Sequence, residues 1–189
     1  MTEVQTQGLL TPTGRLSYPH LFKPRSAAPG AEPKYSCTLI FDKIAQDTPQ
    51  FKAILAAVEY EAKQTWPKGR PPKFRSPIKD ATEAVDNDGN RKPAYDDGCK
   101  YISISTKDAP GVVDQKLNLI IDPNDIYAGC FARAKINVKA YDQTTNKGVA
   151  IYLQHIQKVK DGDPLTTRVS ATQAFDAVDP EADSDSIFE

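Results

Sequence analysis

Only two histidines, His20 and His155, occur in 189 residues, and the three cysteines stand far apart at 37, 99 and 130 with no C-x-x-C pair. A histidine-rich metal site is thereby excluded, and neither a disulfide framework nor a zinc ribbon is expected. The reading is of free, part-buried thiols. No apolar run approaches the ~20 residues of a membrane helix, and MTEVQTQGLL lacks the basic and apolar regions of a secretory signal. A soluble, cytoplasmic chain that makes no membrane contact is expected. No phosphate loop, dinucleotide fingerprint or G-x-S-x-G elbow is present.

Two further features fall short of a metal site. DNDGN (Asp86 to Asn90) resembles part of a calcium loop, but its glycine is fourth instead of sixth and no Glu stands twelfth, so a surface turn is expected. The carboxylates Asp80, Glu83, Asp96 and Asp97 could hold Mg²⁺ for nuclease chemistry, yet they fall in a Pro/Gly-rich loop and not at strand ends. No cofactor, metal ligand or catalytic residue is assigned.

What is present is a separation of charge along the chain. The last fourteen residues, DAVDPEADSDSIFE, hold six acids and no Lys or Arg, so residues 1–175 carry 24 basic against 19 acidic side chains. A formal net charge of −1 therefore conceals a body of +5 and an acidic tail. A basic body attracts polyanions, and a like-charged tail of low hydrophobicity has little reason to fold.

Apolar periodicity places the elements. A short strand ending in a bend is expected around Leu16, Tyr18 and Pro19. KYSCTLIFDK alternates Tyr35, Cys37, Leu39 and Phe41 with Ser36, Thr38 and Ile40, which reads as a strand. TPQFKAILAAVEYEAKQTW reads as a helix with Thr48 as N-cap, Pro49 in the first turn, and Phe51, Ile54, Leu55, Val58 and Ala62 on one face. Residues 67–98 read as a long loop. Strands are expected at Lys100–Thr106 and Lys116–Ile121. A hairpin of Cys130–Tyr141 and Val149–Lys160 follows, with turn chemistry at Asn146 to Gly148. Five or six strands and a capping helix, without βαβ alternation, indicate a mainly β, antiparallel barrel or sandwich.

The strand Cys130–Tyr141 has two distinct faces. Cys130, Ala132, Ala134, Ile136, Val138 and Ala140 form an apolar one; Phe131, Arg133, Lys135, Asn137, Lys139 and Tyr141 form the other. Three cations, no acid and an aromatic at each end suit a single strand of nucleic acid, because cations follow phosphates and exposed rings stack on bases. The partner strand would extend this face with Tyr152, Gln154, Lys158 and Lys160. A second basic stretch, Lys63 to Lys79, offers Lys68, Arg70, Lys73, Phe74 and Arg75 as a flexible loop that could close over a strand, while Trp66 anchors the helix end. A weaker third patch holds Arg15, Tyr18, His20, Phe22, Lys23 and Arg25. In the tail, Asp183 and Asp185 add charge, and Ile187 and Phe188 form an apolar hook for replication or recombination proteins.

Together GRLSYPHLFKPR, KYSCTLIFDK, IYAGCFARAKINVKAYD, NKGVAIYLQHIQKVKDGDPL and the acidic tail resemble a family of phage-encoded single-stranded DNA-binding proteins, first catalogued as a domain of unknown function. The resemblance spans roughly residues 8 to 165. It implies an OB-fold Greek-key barrel with a helical insertion, sequence-tolerant binding of single-stranded DNA, and a role in phage replication, recombination or repair in the host cytoplasm. The expected organisation is a binding domain at 1–165, a connecting segment at 166–175 and a disordered acidic tail at 176–189. Two other readings remain open at this level: a metal-dependent phage nuclease or recombination enzyme, and a protein-interaction adaptor.

Overall fold

The computed structural model describes residues 4–165. The segments 166–175 and 176–189, with Asp183, Asp185, Ile187 and Phe188, lie outside the described residues. In chain order the strands are β1 (Leu9–Leu10), β2 (Gly14–Arg25), β3 (Lys34–Phe41), β4 (Ile78–Asp80), β5 (Lys100–Thr106), β6 (Gly111–Val113), β7 (Phe131–Asp142) and β8 (Lys147–Lys160); the helices α1 (Lys43–Gln46) and α2 (Pro49–Thr65) fall between β3 and β4.

Five strands close into a barrel in the order β2, β3, β5, β8, β7 and back to β2. Four of the five pairings are antiparallel, and β5 runs parallel to β8 at Ser105 and Tyr152. Parity requires this: an odd number of strands cannot close with every neighbour reversed. The order is that of the OB barrel expected, with one parallel pairing in an otherwise antiparallel closure. Short β1 extends the sheet beside β7, and β6 lies on the outer side of β8.

Alternation on these strands fills the barrel. Leu16, Leu39, Phe41, Ile102, Ile104 and Ile136 are fully buried, with Val138, Ile151 and Leu153 beside them. α2 begins where Thr48 Oγ1 accepts the Phe51 N–H, with Pro49 at its first position. Its buried residues Phe51, Ile54, Ala57, Val58 and Ala62 join the barrel core, and Phe51 meets Phe41 edge to face at 5.4 Å. Burying Phe51 or Ile54 contributes roughly 1.5–3 kcal/mol each. Leu55, expected on this face, is exposed instead. All three cysteines are free, and burial pushes the Cys37 thiol's pKa up.

Several boundaries differ from the sequence pattern. β2 continues past Pro19 because a register shift between Ser17 and His20, with Tyr18 at φ 48°, absorbs a residue that has no N–H to give the ladder. Lys116–Ile121 is not a strand: it pairs only through a bridge from Leu119 to Val113, and its leucines face solvent. Gly148 lies inside β8, while the turn itself is closed by Gln143 and Asn146. A Cβ at Gly148 would strike the Arg75 carbonyl, and that close approach is why glycine stands there.

Candidate nucleic-acid interface

The outer face of β7 carries the expected residues in order, and its register with β8 sets their neighbours. Phe131 stands opposite Lys160, Arg133 opposite Gln157, Lys135 opposite His155, Asn137 opposite Tyr152 and Tyr141 opposite Gly148. The polar contacts of this face are made to neutral groups. Arg133 Nε donates to Gln157 Oε1 at 2.8 Å, Lys135 Nζ to the Gly8 carbonyl at 2.9 Å, and the Gly8 N–H to Asn137 Oδ1 at 2.8 Å. Phe131 is flanked by Lys160 Nζ at 4.5 Å and Arg15 Cζ at 5.9 Å from its ring centre. Among the described residues none of Arg15, Arg133, Lys135, Lys139 and Lys160 is in an ion pair. Their charge is left for an external anion.

Lys158 does not extend this face. A register shift in the β7–β8 ladder between Leu153 and His155 changes the phase of β8, so Lys158 lies opposite core-facing Ala132, and a second shift beyond it returns Lys160 to the outer face. Its Nζ donates to the Asp125 carbonyl at 2.6 Å, pairs with Asp161 at 2.7 Å and sits 5.3 Å from the Tyr127 ring centre, leaving the side chain 17% exposed. Hydrogen bonds from Lys158 and then Tyr127 hold the Asp161 carboxyl below its ordinary pKa.

The basic loop after α2 is anchored, which corrects the expectation of a flexible one. Trp66 Nε1 donates to Asp142 Oδ2 at 3.3 Å, and Phe74 packs edge to face on Trp66 at 5.7 Å. Arg70 lies 4.8 Å over Phe74 and pairs with Glu59. The backbone of Arg75 bonds on both sides to β8, its N–H to the Lys147 carbonyl and its carbonyl to the Val149 N–H. Arg70 and Phe74 are thus occupied within the fold, while Lys68, Lys73 and Arg75 keep exposed side chains.

A second surface, on the outside of β2, β3 and β5, gave little sign in the sequence. A cleft of about 400 Å³ opens there between Tyr18, Thr38, Lys79, Lys92, Tyr101 and Ser103. Thr38 Oγ1 and Ser103 Oγ are 3.2 Å apart on its floor. Tyr95 is buried beneath the 81–99 loop, edge to face with Tyr101 at 5.2 Å, and burial pushes its phenol pKa up. Lys92 Nζ lies 5.1 Å from the ring centre of Tyr18, which is 49% exposed. In the same loop DNDGN closes as a turn, with Asp86 Oδ1 accepting the Asp88 and Asn90 N–H groups.

Barrel register joins the two surfaces. His20 is opposite Ser36, Ser36 opposite Ser105, Ser105 opposite Tyr152 and Tyr152 opposite Asn137. Directly opposed residues share a face, so one outward row runs around the barrel from β2 to β7. Tyr152, 38% exposed, stands where the cleft meets the cationic face. Tyr18 belongs to the patch already singled out in the sequence. Lys92 and Tyr95 had no detectable signal, since a loop has no period.

Among the described residues no group of three or more His, Cys, Asp or Glu side chains could hold a metal ion, and no helix is long and apolar enough to cross a membrane. The family described as "Enterobacter phage Enc34, ssDNA-binding protein" matches residues 7–187. Among solved structures, the single-stranded DNA-binding protein from bacteriophage Enc34 in complex with ssDNA is 28% identical with a TM-score of 0.68, over 83% of this chain and 88% of that one. The same phage's protein in a second structure is 27% identical with a TM-score of 0.66, over 88% and 89%. The single-stranded DNA-binding protein gp2.5 of bacteriophage T7 is 15% identical with a TM-score of 0.60, over 85% and 95%, a likeness of fold alone. No curated protein matches the sequence.

Proposed function

The chain belongs to the family of the Enterobacter phage Enc34 single-stranded DNA-binding protein, a family of binders and not of enzymes, and from that premise we propose how it holds DNA. A single strand crosses the outside of the barrel along the row through Ser36, Ser105 and Tyr152 and continues over β7. Tyr152 and Tyr18 offer faces for bases to stack on, and Phe131 and Tyr141 extend that set at the two ends of β7. Arg133, Lys135 and Lys139 hold phosphates, with Lys79 and Lys92 at the cleft and Lys68, Lys73 and Arg75 at its border. Asn137 contributes an amide beside Tyr152. The observation that carries this reading is the set of cations on β7 without acidic partners, adjoining an exposed tyrosine in register. Stacking and phosphate contact are indifferent to base identity, so binding is sequence-tolerant.

Beyond the barrel, the proposed role is protection of single strands during phage replication, recombination or repair in the host cytoplasm. The acidic segment 176–189 has two tasks in this account. Its six acids compete with DNA for the basic face at the high local concentration that tethering gives. Ile187 and Phe188, flanked by Asp183 and Asp185, recruit replication or recombination proteins. Titrating a labelled mixed-sequence oligonucleotide in fluorescence anisotropy tests the reading: binding should weaken steeply with salt, and no binding to any single strand at low salt would overturn it.

A further inference from the structure

After β6 the chain turns back on itself. Asp114 Oδ1 accepts the Lys116 and Asn118 N–H groups, and the Asp114 N–H donates to the Asn118 carbonyl. The result is a small hairpin beyond β6, at the outer end of the strand order. Its returning arm bears Leu117, Leu119 and Ile121, exposed by 72, 71 and 82%. Leu119 and Ile121, alternate residues of the extended part of the arm, project to one side, and Leu117 flanks them from the turn. The Ile120 N–H points inward to the Val112 carbonyl, so the backbone groups of Leu119 and Ile121 point away from the sheet. Leu117 is held at φ 67°, where glycine or asparagine is the usual choice. A leucine at a left-handed, exposed turn does nothing for the barrel. An apolar arm with outward-facing backbone groups is a template for another strand.

The arm is complementary to itself. Laid antiparallel about Leu119, the arm sets Leu119 against its own copy and Asn118 against Ile120, and it brings the turn of each copy, which bears Lys116 and Leu117, to the end where Ile121 and Asp122 of the other copy lie. A two-fold contact makes each unlike pair twice, so the opposed charges form at both ends. Among the described residues neither Lys116 nor Asp122 is in an ion pair within the chain. Asp114, Asp122 and Asp125 beside the leucines disfavour nucleic acid as the occupant.

We propose that a second copy of this chain pairs antiparallel along Asn118–Ile121, with the exposed leucines and isoleucine of the two copies packed together and Lys116 of each beside Asp122 of the other. The contact lies on the hairpin beyond β6, so it stands or falls independently of the DNA-binding reading.

Sedimentation of the full chain over a concentration series tests it. The 20.8 kDa chain should approach twice its mass as concentration rises. Leu119→Lys should remain at the mass of one chain while melting as the wild type does. Asp122→Lys, which sets lysine against lysine, should weaken association roughly two- to thirtyfold, and the double variant Lys116→Asp/Asp122→Lys should restore it. The proposal is overturned by a wild type that stays at the mass of one chain throughout. A dimer that survives Leu119→Lys, or a double swap no better than Asp122→Lys alone, overturns it equally.

Discussion

Tyr152 on β8 stands directly opposite Ser105 on β5, at the parallel pairing that closes the barrel. The small hydroxyl leaves the ring uncovered on that side, and on its other side Tyr152 meets Asn137 of β7. Stacking on such a ring is worth roughly 1–3 kcal/mol per base. Tyr152→Ala should therefore weaken oligonucleotide binding roughly 5- to 150-fold, while Tyr152→Phe should bind nearly as the wild type does. Tyr60→Ala, an equally exposed tyrosine on α2, should leave the titration unchanged.

Lys158 should behave as a structural residue. Its bonds to the Asp125 carbonyl and to Asp161 tie the end of β8 to the segment before β7. Lys158→Ala should lower stability by roughly 1–2 kcal/mol in urea unfolding and leave the salt dependence of DNA binding intact. The Asp161 carboxyl is held below its ordinary pKa in the folded chain, so its contribution is present above the ordinary carboxylate range. It is lost as pH falls through the lowered value. The stability gap between wild type and Lys158→Ala should narrow over that acid interval.

Gly148→Ala places a methyl group against the Arg75 carbonyl. Overpacking of this kind costs roughly 1–3 kcal/mol, and here it should displace the 73–77 segment from β8. Hydrogen exchange checks this, because the Arg75 and Val149 amides, which bond across the contact, should lose protection before those of the β2–β3 ladder.

Deleting residues 176–189 removes six acids and should tighten DNA binding, most of all at low salt where charge is least screened. Partner capture through Ile187 and Phe188 should survive higher salt. Unchanged affinity after truncation would discard the competition while leaving recruitment in place.

The parts of the molecule that were legible in the sequence are those where one element alone determines the pattern. Alternation marks β7 because its apolar half fills the barrel and its basic half faces out; Thr48 and Pro49 mark the start of α2 because capping is local. Lys116–Ile121 alternates just as well, but alternation does not say which face will be covered, and here the apolar one faces solvent. Lys158 shows another limit. A single bulge between Leu153 and His155 reverses the phase of β8 at Lys158, and no count along the sequence reveals it. Phe74 looked free because Trp66, the ring it packs on, lies eight residues away across a loop. The cleft combines residues from β2, β3, β5 and the 81–99 loop, so its existence depends on barrel closure and not on any one segment.

The central claim, that the outer face of β7 carries the phosphates, is tested most directly by the salt dependence of binding. For a single strand the slope of log affinity against log salt is about −0.7 per phosphate neutralised. Arg133→Gln and Lys135→Gln should each make that slope shallower by about 0.7, and Lys52→Gln, whose lysine already pairs with Asp47, should leave it alone. Slopes equal to the wild type's in both β7 variants would contradict the account and move the DNA elsewhere on the barrel.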